Sequence, residues 1–189
     1  MVKGSSGRVF LAFLSLCLPV SALAQVSAGC ACDVTKPETM EARQCSLCRE
    51  AEKQPPDVKF FFLKDANPMK ANRLLVLPRQ HKPGAHLLSE FTPEERTEFW
   101  TVAIEKAKSL WGDDWGVAIN GQEVRTQCHT HIHIGRLIKG ADIETKNFIV
   151  ISRPDQIPDP KDQGLWIHPA GNKMHVHMGE QRTETVLFR

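Results

Sequence analysis

The chain has no surplus of charge of either sign once its first segment is set aside. Lys and Arg number 24 against 22 Asp and Glu, and two of the basic residues, Lys3 and Arg8, lie within residues 1–24, which leaves 22 of each. A protein that grips a polyanion needs a basic stripe, or aromatic residues interleaved with Lys and Arg, and neither is present, so long nucleic acids are excluded as partners. A long apolar run is lacking too. The stretch Val9 to Leu18 is short for a bilayer span. With Lys3 and Arg8 ahead of it and Ala22-Leu23-Ala24 behind, it reads as a signal peptide over residues 1–24, cleaved before Gln25. The chain is therefore expected to be exported, to a periplasm or to the medium. A retained anchor helix is one alternative. A lipoprotein acylated at Cys30 in Ser27-Ala28-Gly29-Cys30 is another, although Ser27 stands where a large aliphatic residue is usual, and membrane contact is expected only through such a lipid. No internal repeat is visible, and what remains has the length of a single domain.

Cysteine is sparse and unevenly placed. Of six, Cys17 leaves with the signal peptide, and Cys30, Cys32, Cys45 and Cys48 crowd together. In an oxidising compartment that cluster points to disulfides, with Cys45 and Cys48 bonded to Cys30 and Cys32. Cys45-Ser46-Leu47-Cys48 also has the spacing of zinc ligands, and composition leaves both open. Residues 25–56 are polar and proline-containing and read as an irregular, cysteine-bearing arm that needs a staple or a metal.

Beyond the arm, Val58 to Leu63 and Arg73 to Leu77 are short apolar runs split by the turn-like Asp65-Ala66-Asn67-Pro68, and they predict two strands. Thr92-Pro93-Glu94-Glu95 combines a capping residue, a proline in the first turn and acidic residues at the positive end of the helix dipole. Phe99, Val102, Ala103, Lys106 and Leu110 follow at helical spacing, and Gly112 ends the helix. Further strands are predicted over Trp115 to Asn120, Cys128 to Leu137, Phe148 to Ser152, Leu165 to His168, Lys173 to Met178 and Thr185 to Phe188. The order strand, strand, helix, strand, strand implies the α+β class, an antiparallel β-sheet with a covering α-helix. Residues 57–140 form the domain core in this reading, and 141–189 a carboxyl-terminal extension packed on it.

Chemistry concentrates in His129-Thr130-His131-Ile132-His133. Side chains of an extended strand alternate between faces, so the three imidazoles are expected on one side and Thr130, Ile132 and Ile134 on the other. A slip of one residue would bury the histidines, which makes the register strongly specified. A neutral imidazole is nucleophilic at one nitrogen and a donor at the other, as attack on a phosphoanhydride requires. Flanking histidines can orient it, bind phosphate oxygens or pass a proton. A metal-binding strand fits the alternation equally well.

This run, set after Asn120-Gly121 and a polar loop, resembles the signature of the histidine-triad (HIT) superfamily. Upstream, Arg73 to His81 (RLLVLPRQH) is similar to that family's strand ending in Pro-x-x-His, Phe91 to Glu95 to its helix start, and Cys45-x-x-Cys48 to the cysteine pair of its zinc-containing branch. The resemblance covers roughly Gln44 to Leu137. It implies that His131 forms a covalent nucleotidyl-histidine intermediate, with His129, His133 and Thr126 assisting. Asn120, Arg125 and Gln127 would contact the substrate, and Cys45, Cys48, His81 and His129 would hold a structural zinc. A longer loop between His81 and the helix leaves His86 as a rival ligand. Arg125 stands where the family often has glutamine, and Gln127-x-His129-x-His131 is also similar to the Gln-x-His-x-His of CDP-diacylglycerol pyrophosphatases. The substrate implied is thus a small nucleotide or a nucleotide-lipid, handled by a hydrolase or nucleotidyl transferase with no organic cofactor; many relatives form homodimers through the helix and an adjoining strand. A non-enzymatic, exported zinc-binding protein is the competing reading. The resemblance does not reach His168, His175 and His177, which could complete the site, bind a second metal with Glu180, or lie on an exposed strand.

Overall fold

The computed structural model describes Met1 and residues 29–84, 86–141 and 147–189. The proposed signal peptide, Met1 aside, lies outside them. No helix among the described residues is long and apolar enough to cross a membrane.

Seven strands form one antiparallel sheet: β1 (Phe60–Lys64), β2 (Leu74–Pro78), β3 (Trp115–Ile119), β4 (Ile132–Arg136), β5 (Phe148–Ile151), β6 (Gly164–Ala170) and β7 (Lys173–Glu180), in the order β1-β2-β4-β3-β6-β7-β5. The class is α+β, as expected. Helices α1 (Pro37–Met40), α2 (Ser46–Glu52) and α3 (Pro93–Trp111) complete the regular structure, together with short 3-10 turns.

Alternation along the strands gives the sheet two unlike faces. Val76, Val117, Ile132, Ile134, Leu165, Ile167 and Val176 form a core with Phe99, Trp100, Ala103, Ile104 and Ala107 of α3. Most of these β positions are β-branched, which suits a pleated, buried surface. The helix is fixed at its start by a reciprocal cap: the Glu95 amide donates to Thr92 Oγ1 at 3.2 Å, and the Thr92 amide donates to Glu95 Oε2 at 2.8 Å. Gly112, at φ +54°, ends it in a conformation that favours glycine. The opposite face carries His133, Ala118, Trp166 and His177 in successive register across β4, β3, β6 and β7.

The arm departs from expectation. Residues 37–52 are largely helical rather than irregular, because Leu47 and Ala51 of α2 bury against Phe61, Leu75 and Leu77 on the side of β1 and β2 away from α3. Seven residues are too few to show their period in sequence. The arm is pinned by two disulfides, Cys30–Cys128 and Cys32–Cys45, while Cys48 is free and buried. The expected pairing of Cys45 and Cys48 with Cys30 and Cys32 is corrected accordingly: Cys128 takes Cys30, and Cys48 is left out.

The tail is the second departure. Thr183–Val186 is a 3-10 turn rather than a strand, and only an isolated bridge joins Leu187 to Leu137. Leu187 sits over the opposed pair Gly116 and Gly135; a Cβ on Gly116 would lie 2.6 Å from its Cδ2. Buried Arg73 clamps this segment, donating from Nε to the Phe188 carbonyl at 3.1 Å, from Nη2 to the Leu187 carbonyl and from Nη1 to Glu184 at 3.0 Å.

Candidate active site

Strand β4 begins at Ile132 rather than Cys128, with a bend at Cys128 and His129. The bend divides the three histidines. His131 and His133 line a cavity of about 660 Å³, whereas His129 is not among its lining residues and is fully buried. The expectation that all three share one surface therefore holds for His131 and His133 only. Local covalent and hydrogen-bond ties make the bend: Cys128 is bonded to Cys30, its amide donates to the Gln44 carbonyl at 2.8 Å, and Thr130 Oγ1 donates to the His86 carbonyl at 2.7 Å.

His131 Nδ1 lies 2.9 Å from the His129 carbonyl. A carbonyl only accepts, so Nδ1 carries the proton and Nε2 keeps its lone pair. Burial pushes the His131 pKa down to about 4, which keeps the ring neutral near pH 7. The His133 ring packs edge-on against it at 4.9 Å between centroids. His133 is held well below its ordinary pKa by burial and then by His131, and its Nδ1 sits 3.6 Å from Glu184 Oε2.

Glu184, from the tail, was not foreseen in the sequence. Its Oε2 pairs with Lys70 Nζ at 2.5 Å and Arg73 Nη1 at 3.0 Å, and Asn120 Oδ1 accepts from its amide at 3.1 Å. Asp65 and Lys70, from the β1–β2 connection, line the same cavity. Burial opposes ionisation of Glu184, but the permanent charges of Lys70 and Arg73 beside it outweigh that and hold its pKa below the ordinary 4.5. A carboxylate with a depressed folded pKa stabilises the protein above the unfolded value and loses that contribution as pH falls through the folded value. As pH falls from 4.5 towards 2 the wild type should lose stability that Glu184→Gln does not lose, on the order of 1–2 kcal/mol. Urea melts across that window test it; parallel profiles for the two proteins would refute it.

The loop before the histidines is organised by Arg125, whose Nη2 donates to the carbonyls of His86, Gln127 and Cys128 at 3.1, 3.2 and 2.9 Å. Burial brings its pKa down to about 10, still charged at neutrality. Arg125 thus lines the cavity as a brace for the loop. Gln127 accepts from Ser46 Oγ at 2.8 Å and donates to the Arg43 carbonyl, tying the loop to the arm. Thr126 is exposed and, like Asn120, lines the cavity.

Beside the cavity lies a second cluster. The ligand atoms of Cys48, His81 and His129 are within 4.8 Å of one another, close enough to hold a metal. Cys45 is withdrawn from the expected set by its bond to Cys32, which corrects that ligand assignment. The donors that remain fit an ion such as zinc. His129 Nε2–H donates to the Pro78 carbonyl at 2.8 Å, which leaves Nδ1 as the lone-pair nitrogen, and Nδ1 has no partner among the described residues. Both nitrogens of His81 and Nδ1 of His86 are likewise buried and unpartnered. The His86 ring lies 4.9 Å from that of His129, but His86 is outside the three-residue group of ligand atoms. Without a cation, burial pushes the Cys48 thiol up to about 11.

No family model matches the chain, and no protein of described function matches it in sequence. Among solved structures it is similar to a DUF4931 family protein from Bacillus cereus, at 11% identity and a TM-score of 0.49, over 68% of this chain and 84% of that one.

Proposed function

We propose that the protein is a HIT-type hydrolase or nucleotidyl transferase that cleaves a nucleotide phosphoanhydride or phosphoramidate through a covalent intermediate on His131. The observation that carries this reading is the proton on His131 Nδ1, held by the His129 carbonyl, which leaves the Nε2 lone pair for a cavity of about 660 Å³. Nε2 attacks the α-phosphorus; a P–N bond forms as the bond to the leaving oxygen or nitrogen breaks, and the leaving group takes a proton from solvent. The imidazole gains positive charge in that step, and the carbonyl 2.9 Å from Nδ1 stabilises it. Water, or another acceptor hydroxyl, then attacks phosphorus, forming a P–O bond as the P–Nε2 bond breaks and releasing its proton to solvent, which restores the neutral ring. Thr126 and Asn120 stand on the cavity wall to meet phosphate or ribose. A cation held by Cys48, His81 and His129 would supply structure, tying α2 and the loop after β2 to the start of β4.

One observation favours a nucleotide-lipid within the same chemistry. Leu47, Leu63 and Leu75 form an apolar part of the cavity wall, suited to a lipid such as the diacylglycerol of CDP-diacylglycerol, in keeping with the Gln127-x-His129-x-His131 spacing. Exposing the protein to a panel of nucleotides and CDP-diacylglycerol micelles, then quenching and mapping adducts by mass, tests both. A nucleotidyl adduct on His131 is expected. Turnover with the adduct elsewhere would sink the mechanism, and turnover of soluble dinucleotides alone would remove the lipid reading.

A further inference from the structure

The three remaining histidines also cluster, on the hairpin of β6 and β7. His168 lies directly opposite His175 across the ladder, and His177 follows two residues along the same face. One ligand atom from each comes within 4.8 Å of the others. The Nε2 atoms of His168 and His177 are 3.1 Å apart. Two nitrogens bound to a tetrahedral zinc at ~2.0–2.1 Å stand about 3.3–3.4 Å from each other, so the pair is within a few tenths of an ångström of sharing an ion.

The rings are held for that purpose. His168 Nδ1 donates to the Pro169 carbonyl at 2.9 Å, which leaves its Nε2 to accept a hydrogen bond from His177 Nε2–H; a bound cation would replace that shared proton between the two nitrogens, with His177 carrying its own proton on Nδ1. His177 stacks on Trp166 at 3.7 Å between centroids, and His175 stacks on Phe148 at 4.5 Å. Rings fixed by aromatic neighbours lose little rotamer freedom on ligation. Glu180, offered above as a further partner, is exposed and is not part of this group of ligand atoms.

We infer that His168, His175 and His177 form a binding site for a borderline transition-metal ion, zinc(II) foremost, separate from the cluster around Cys48. Neutral imidazole donors favour zinc, copper(II) or nickel over magnesium and calcium. The site belongs to the tail hairpin and shares no residue with the cavity of His131.

Cobalt(II) and zinc(II) titrations of the full chain test it, because the two clusters differ in sulfur. In Cys48→Ala the protein should still bind one equivalent of cobalt, with d–d absorption and no thiolate-to-metal charge-transfer band. Adding His175→Ala, a change at a half-buried ring, should weaken zinc binding by about a hundredfold or more. Failure of Cys48→Ala to bind cobalt, or unchanged affinity on adding His175→Ala, would overturn the proposal. Should Cys48→Ala not fold, His175→Ala alone is read against the wild type. Loss of one zinc equivalent supports the site, and no loss overturns it.

Discussion

His131→Ala is expected to lower turnover by about four to six orders of magnitude, the scale seen when a covalent nucleophile is removed. His133 is near, but its ring is buried edge-on behind His131 and its Nδ1 faces Glu184. The fold should survive, because His131 is only half-buried, precedes the first residue of β4 and makes its one ring hydrogen bond to its own neighbouring backbone. Circular dichroism and thermal melts should match the wild type. His131→Asn also removes the nucleophile while it keeps a donor near the His129 carbonyl. If His131→Asn retained full turnover, His131 would not be the attacking group.

The second large effect concerns stability. Cys30–Cys128 closes a loop with a sequence separation of 98 residues. In the chain-entropy account a loop of that length restricts the unfolded state by about 4–5 kcal/mol, against about 3 kcal/mol for the 13-residue separation of Cys32–Cys45. The double variant Cys30→Ala/Cys128→Ala should therefore lose about 3–5 kcal/mol, a drop of roughly 6–20 °C in Tm for a domain of this size. The effect should reach the site as well, since Cys128 anchors the bend that separates His129 from His131. Calorimetry on the oxidised wild type and the double variant measures it. A change of less than 1 kcal/mol would mean that the unfolded arm stays close to residue 128 without the bond.

Much of the fold was legible because its signals are local. The cap at Thr92, the stop at Gly112 and the short apolar runs of Leu74–Pro78 and Trp115–Ile119 each depend on a few adjacent residues. Less local features were not. The pairing of β6 with β3, which carries the tail into the main sheet, depends on contacts between distant segments. Glu184 and Lys70 belong to no shared motif, and they meet only because Arg73 holds the tail against β2. Cys128 was read as part of a strand, and no spacing rule connects it to Cys30. The histidine run was legible as a pattern, but the bend that gives its first member a different surrounding comes from that disulfide and from the brace of Arg125.

The division of the sheet has a consequence for how the protein can change. Apolar packing against α3 occupies one side, and His131, His133, His168, His175 and His177 occupy the other. Substitutions on opposite sides share few partners, so their free-energy effects should add with little coupling. A costly alteration of the imidazole-bearing side, such as one that opens the cavity to a bulkier substrate, can then be offset by an unrelated gain beneath the helix. The scaffold can explore new substrates without giving up its margin of stability.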